Sequence, residues 1–365
     1  MLNEELIRYD DSVEVKQPDE DELIGKIVAS MARVNRRVFD KHRHAVRSAH
    51  AKSHGVLKGE LSVYDNLPES LQQGIFRSGL TYPVIIRLSS APGDILHDRV
   101  PAAHGMAIKA IGVAGRQIMP GRAKEVTQDF LLVNMPIIPF GDVSSYWKMQ
   151  QILERHVEDP EIMQRLAAAL AREANKVLTL LHRPSPTLYG FSPPNTHVLG
   201  DTFYSMAALR YGAYIAKVSA TPLSENLARL TGQPTVSNDD SSTLRDFVVD
   251  FFRSQTVEYE LRVQLCKDLE RMPVEDASIE WPEDLSRYQS VAKITLPAQD
   301  AYNPARRVYA DDRLSFNPWH CIEEHRPLGS IMRVRIKAYE TSTRFRHEMN
   351  MQPRIELHDI NAFPD

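Results

Sequence analysis

The chain has 365 residues, with 44 Lys+Arg against 48 Asp+Glu, a formal net charge of -4, and 42% hydrophobic residues. This is the composition of a soluble globular chain with a real core, which excludes whole-chain disorder, collagen and coiled coil. The near balance of charge gives no argument for nucleic acid or an anionic membrane as principal partner. No apolar run approaches the roughly 20 residues that span a bilayer, so no integral membrane association is expected. The acidic N-terminus, MLNEELIRYDDSVEV, lacks the basic-then-apolar layout of a secretory signal. Cys266 and Cys321 make no framework and no CxxC pair. That usage fits a reducing, cytoplasmic compartment.

In chain order, the first 20 or so residues are polar and charged and read as a loosely held arm. Leu23, Ile24, Ile27, Val28, Met31, Val34 and Val38 then recur at helical spacing, with Pro18 and Asp19 marking the start. Strand-like runs follow at 56–64, 83–89, 105–113 and 129–133. A second helical pattern runs through Ile162, Leu166, Leu170, Val177, Leu178 and Leu181, and a proline-rich stretch ends it. Further strands are expected at 213–219 and 290–296, and 231–242 reads as a solvated loop. In VEYELRVQL, Val257, Tyr259, Leu261, Val263 and Leu265 alternate with polar residues, the pattern of a half-buried strand. Several strands without regularly alternating helices point to an antiparallel sheet or barrel with helices outside it. No repeat is present.

Four segments are hard to explain as packing alone. HAVRSAHAKSHG (44–55), preceded by His42, clusters His44, His50 and His54. A metal reading lacks further ligands nearby, because only Asp40 lies close, and a charged, solvated connection is the simpler account. In YPVIIRLSSAPGD (82–94), a strand puts Val84, Ile86 and Leu88 on one face, and Ile85, Arg87 and Ser89 on the other. An arginine beside a hydroxyl suits an anionic ligand lying against a sheet, although an edge strand would look the same. DFLLVNMPIIPFGD (129–142) ends an apolar strand in Asn134, either a turn former or a fixed donor at a pocket mouth.

In HRPLGSIMRVRIKAYETSTRFR (325–346) a helix is expected to begin near Ser330. It would carry Arg335, Tyr339, Ser342 and Arg346 along one stripe. An unperturbed phenol ionises near 10, so a tyrosinate at neutral pH needs roughly 4 kcal/mol of help. A bound ferric ion and a neighbouring guanidinium could supply it. The alternative is an amphipathic surface helix with a half-buried tyrosine.

Taken in order, the four segments resemble the haem-binding core of the catalase superfamily. That family's R-x-x-H-A-K segment is matched by Arg47-Ser48-Ala49-His50-Ala51-Lys52, and its V-R-F-S strand by Ile86-Arg87-Leu88-Ser89. Its R-G-x-A-x-K is matched by His104-Gly105-Met106-Ala107-Ile108-Lys109, with histidine in place of arginine, and its N-x-P-I by Asn134-Met135-Pro136-Ile137. The proximal-helix pattern falls on Arg335, Tyr339 and Arg346, with LSFNPWH (314–320) upstream.

The resemblance implies an α+β fold, with an antiparallel β-barrel of about eight strands, surrounding helices and no flavodoxin-like C-terminal domain. Residues 1–45 would be an arm and helix, and 46–365 the haem-binding core. It implies haem b (iron protoporphyrin IX) with Tyr339 as the iron ligand and Arg47, Arg87 and Arg346 on the propionates. Arg335 would support the phenolate, His50 and Asn134 would act on the distal side, and Ser89 would orient His50. The implied function is a haem-dependent hydroperoxidase, of catalase or peroxidase type, and the family suggests a homo-oligomer. Ala49, where catalases carry valine, and Ile138-Pro139, where they carry paired aromatics, suggest a more open distal face. The alternatives are isomerisation or cleavage of fatty-acid hydroperoxides on the same scaffold, or haem binding without turnover. His42, His44 and His54 are assigned to solvent.

Overall fold

The structure is a computed structural model, and it describes residues 6–77, 79–157, 159, 196–235 and 242–365. Among the described residues, nine strands form one antiparallel sheet: β1 (Ser53–Val63), β2 (Thr81–Ser90), β3 (His104–Ile111), β4 (Thr127–Val133), β5 (Phe203–Tyr204), β6 (Leu209–Tyr211), β7 (Tyr214–Pro222), β8 (Val257–Leu265) and β9 (Gln289–Leu296). Pairing runs β5-β4-β3-β2-β1-β9-β8-β7-β6, and β5 also pairs with β7. That last pairing closes eight strands into a barrel, with β6 left as a short flap on β7. The eight-stranded antiparallel barrel with helices outside is the expected architecture.

The alternation in β8 does what its period requires. Val257, Tyr259, Leu261 and Val263 are buried in the main core, while Glu258, Glu260 and Arg262 are half-exposed. β2 splits likewise. Val84, Ile86 and Leu88 join the core inside the barrel, and Ile85 joins a separate apolar cluster with Val56, Ile111, Leu314 and Phe316. Arg87 and Ser89 therefore lie on the outer face of the barrel, on the same side as that second cluster.

The helices in sequence order are α1 (Glu20–His42), α2 (Val143–His156), α3 (Glu225–Ala228), α4 (Thr243–Phe252), α5 (Pro304–Val308) and α6 (Ser330–Met349). α1 buries Leu23, Ile24 and Ile27 against Val143 of α2 and against Val334 and Ala338 of α6. α6 starts at Ser330 because Gly329 takes φ 91, a left-handed value that glycine adopts at no steric cost. The helical pattern at 162–181 lies outside the described residues, as does half of the loop at 231–242, residues 236–241.

Two expectations are corrected. The arm is not loosely held over residues 6–19. Ile7 N–H donates to Cys266 O at 3.0 Å and Tyr9 N–H to Ala213 O at 3.0 Å. Glu14 accepts from Arg333 Nη1 at 2.7 Å, from Arg326 Nη2 at 2.7 Å and from Gly329 N–H at 2.9 Å. Its polar residues have long-range partners, which a composition-based reading cannot register. His54 is not solvated either: it is fully buried in β1 with Nε2 2.8 Å from Ser90 Oγ. Burial holds its pKa well below the ordinary imidazole value.

Candidate active site

Strand register assembles the distal cluster. Ser89 of β2 pairs with Gly105 of β3, and Gly105 pairs with Val133 of β4, one residue before Asn134. His50 lies in the loop before β1, at φ 55, a strained value for a residue with a Cβ. Its backbone is held on both sides: His50 N–H donates to Ala91 O at 2.9 Å, and Arg87 Nη1 donates to His50 O at 2.9 Å. Arg87 Nη2 donates to Ala51 O at 3.1 Å. Arg87 thus fixes the distal loop directly.

The His50 ring has Nδ1 3.1 Å from Ser89 Oγ, and Nε2 has no hydrogen-bond partner among the described residues. The ring rests on Gly105, where a Cβ would stand 2.5 Å from His50 Cε1 and 3.1 Å from Ser89 Oγ. Burial, with the charges of Arg87, Arg335 and Arg47 adding to it, lowers the His50 pKa to about 3. The imidazole is therefore neutral at pH 7. Asn134 is set by its neighbours: Oδ1 accepts from His104 N–H at 2.8 Å and Nδ2 donates to Asp201 Oδ2 at 2.9 Å.

The three arginines expected at the propionates converge. Arg47 Nη1 and Arg87 Nε reach Asp311 Oδ1 at 3.0 Å and 2.9 Å. Arg346 Nη1 donates to Asp311 O, and both Arg47 and Arg346 donate to Leu314 O. Burial would raise the Asp311 carboxyl, but Arg87 and Arg47 outweigh it and hold the group below the ordinary carboxylate range. Burial pushes Arg346 down to about 10, and burial with the neighbouring charges of Arg87 and Arg346 lowers Arg47 well below its usual value. Three guanidiniums thus gather around the single carboxylate of Asp311 and its neighbouring carbonyls.

The loop and α6 are also joined by Ser48 N–H on Ser342 Oγ at 3.2 Å. Arg335 and Tyr339 are half-buried on α6, and neither has a hydrogen bond or ion pair among the described residues. The expected contact between this guanidinium and the phenol is not made.

Lys109, from the glycine motif, is fully buried on Asp129 at 2.7 Å and 3.0 Å. Nearby, Glu125, His320 and Glu356 bring three ligand-type atoms within 4.8 Å of one another. Arg354 Nη2 donates to His320 Nε2 at 3.2 Å, which leaves the ring proton on Nδ1, the atom that faces the carboxylates. Lys109 and Arg122 also lie on Glu356, at 3.7 Å and 3.0 Å, so the trio is embedded in an ion-pair network.

Sequence spacing brought together His50, Ser89, Asn134 and the arginine trio. It missed Asp311 and Asp201, since neither falls in a motif, and it missed the reason for Gly105. The histidine at 104 in place of arginine was a visible sign that the Asn134 side is built differently.

No protein-family model and no curated protein matches the sequence. Solved structures do. A fungal catalase superposes with a TM-score of 0.59 at 17% identity, over 84% of this chain and 61% of that one. This is the catalase fold. Catalase A from Saccharomyces cerevisiae gives 0.58 at 16% identity, over 86% of this chain and 64% of that one. A bacterial catalase gives 0.57 at 14%, over 87% and 62%. The chain thus spans somewhat over three-fifths of the catalase structures it matches. No described helix is long and apolar enough to cross a membrane.

The residues of this catalase-fold chain suit a haem. The arginine cluster around Asp311 provides donors for carboxylates, an unpartnered phenol lies on α6, and the Gly105 cradle holds a neutral imidazole with one nitrogen unengaged.

Proposed function

We propose that the chain is a haem-dependent hydroperoxidase that cleaves the O–O bond of hydrogen peroxide or organic peroxides. The observation that carries this reading is the neutral His50, with Nδ1 on Ser89 and Nε2 unengaged. Mere binding of a haem needs no such group. Bound haem would supply a ferric centre that activates the peroxide and takes up the oxidising equivalents.

Tyr339 would hold that haem through its phenol oxygen, and Arg47, Arg87 and Arg346 would receive the propionates by charge-assisted hydrogen bonds. On the distal side, with Nδ1 donating to Ser89 Oγ, Nε2 would be the base. Nε2 accepts the proton of the inner peroxide oxygen and returns it to the outer one, which departs as water or an alcohol. The second N–H of Asn134 Nδ2 is the donor available to align the peroxide. The low pKa keeps His50 deprotonated before each peroxide arrives.

A second reading, turnover of fatty-acid hydroperoxides, is favoured by Ala49, which is exposed and offers only a methyl beside His50. The free, buried thiols of Cys266 and Cys321 fit the cytoplasmic assignment.

The test is peroxide turnover by haem-loaded wild type and His50→Gln, measured from pH 5 to 8 with hydrogen peroxide and a fatty-acid hydroperoxide. The expected result is a loss of about 10²–10⁴-fold in the variant at unchanged haem content. Because the base protonates only near pH 3, wild-type activity should be flat across that range. Undiminished turnover in the variant, or an acid limb near pH 6.5, would contradict the reading.

A further inference from the structure

We infer that Asp201, together with His104, is the positioning residue for the Asn134 amide. Asp201 lies after β4 in sequence, within no motif, and is 9% exposed; His104, at the start of β3, is 1% exposed. Asp201 Oδ2 accepts from Asn134 Nδ2 at 2.9 Å and from His104 Nδ1 at 2.7 Å, and Oδ1 accepts from Thr196 Oγ at 2.6 Å. The backbone completes a ring, with His104 N–H donating to Asn134 Oδ1 at 2.8 Å and Asn134 N–H donating to His104 O at 3.0 Å.

The arrangement admits one orientation of the amide. A backbone N–H can only donate, so the atom it meets is Oδ1, and Nδ2 must face the carboxylate. One Nδ2 hydrogen is then committed to Asp201 and the other remains for a ligand. An amide turned the other way would place its oxygen against the Asp201 carboxylate, which costs both a hydrogen bond and a repulsion. His104 takes part twice, by its backbone N–H on Oδ1 and by its ring on Asp201. This gives a physical use for the histidine that stands where the catalase motif has arginine.

For its effect on turnover this inference rests on the hydroperoxidase reading, whereas the hydrogen bonds do not depend on it. The experiment is a double-substitution cycle on peroxide turnover, using Asp201→Leu, with Asp201→Ser as the second variant should the bulkier one fail to fold. Loss of the acceptor leaves the amide held at Oδ1 alone and its Nδ2 unanchored, and kcat should fall at least about tenfold with KM and haem content little changed. In an Asn134→Ala background the same substitution should cost less than about twofold, because its route of action is already gone. Asp201→Asn keeps one acceptor oxygen for Nδ2 and should recover most of kcat. Equal losses in both backgrounds, or no loss, would overturn the inference.

A second readout keeps it separate from the function. In the full-length, haem-free chain labelled with ¹⁵N-asparagine, the Asn134 side-chain amide signal, identified by its loss in Asn134→Ala, should shift in Asp201→Ser. A shift in a chain that takes up no haem would uphold the positioning and remove the hydroperoxidase reading. An unmoved signal would overturn the positioning itself.

Discussion

Gly105 has no side chain because the His50 imidazole occupies the space where one would stand. An added Cβ would come within 2.5 Å of Cε1 and 3.1 Å of Ser89 Oγ, so the ring would have to shift from its Nδ1 contact. Gly105→Ala should therefore leave haem uptake intact and lower peroxide turnover at least about tenfold, since displacing a reacting group by about 1 Å costs on that scale. Steady-state rates at matched haem content check it, and an unchanged rate would mean that the ring is not held here. At this scale the sequence was informative about residue types and poor about partners. His50, Ser89 and Asn134 were legible because motif spacing and strand period place them. Asp311 and Asp201 were not, because each acts through contacts to residues far along the chain, across 224 positions from Arg87 and 67 from Asn134.

The element that organises the site is α6, and its first turn is tied to the chain's N-terminal segment through a single arginine. Arg333 meets Glu20 at 2.5 Å and 2.8 Å, Glu14 at 2.7 Å, and Glu275 at 2.8 Å and 3.0 Å. Glu20 is fully buried, so removing the cation leaves a carboxylate with no compensation. Arg333→Met should destabilise the fold by about 3–5 kcal/mol. It should also make the segment before α1 sensitive to protease. Urea unfolding with limited proteolysis reads both effects, and a loss under about 1 kcal/mol would show that the cluster is worth no more than a surface pair. The start of α6 at Ser330 was readable from Pro327 and Gly329. The docking of the arm was not, because charged residues look the same whether they meet water or a distant partner.

For the whole molecule, buried neutral histidines set a direction for stability against pH. His325 is fully buried among Phe76, Phe130 and Tyr211, and burial lowers its pKa to about 3. In the unfolded chain it binds a proton below about pH 6.5, while the folded chain does not until about pH 3. Stability should thus fall as pH drops from 6.5 towards 3, with a slope of up to about 1.4 kcal/mol per pH unit from this residue. Urea unfolding of wild type and His325→Gln at pH 7.5, 6 and 5 checks it, with a shallower slope expected in the variant and equal slopes contradicting it.

Most of the barrel was legible because its long strands carry a clear period of two, β8 above all. The strand that closes it was not. β5 is two residues long, too short for any periodicity, yet it pairs with both β4 and β7. Closure there is a property of the assembled sheet.

The central claim is that Tyr339 holds a haem, and absorption spectra of the full chain titrated with haem test it most directly, comparing wild type with Tyr339→Phe. Saturation at one haem per chain is expected, with a high-spin ferric tyrosinate-type spectrum that the variant loses. Uptake without saturation, or the same spectrum in both proteins, would contradict it.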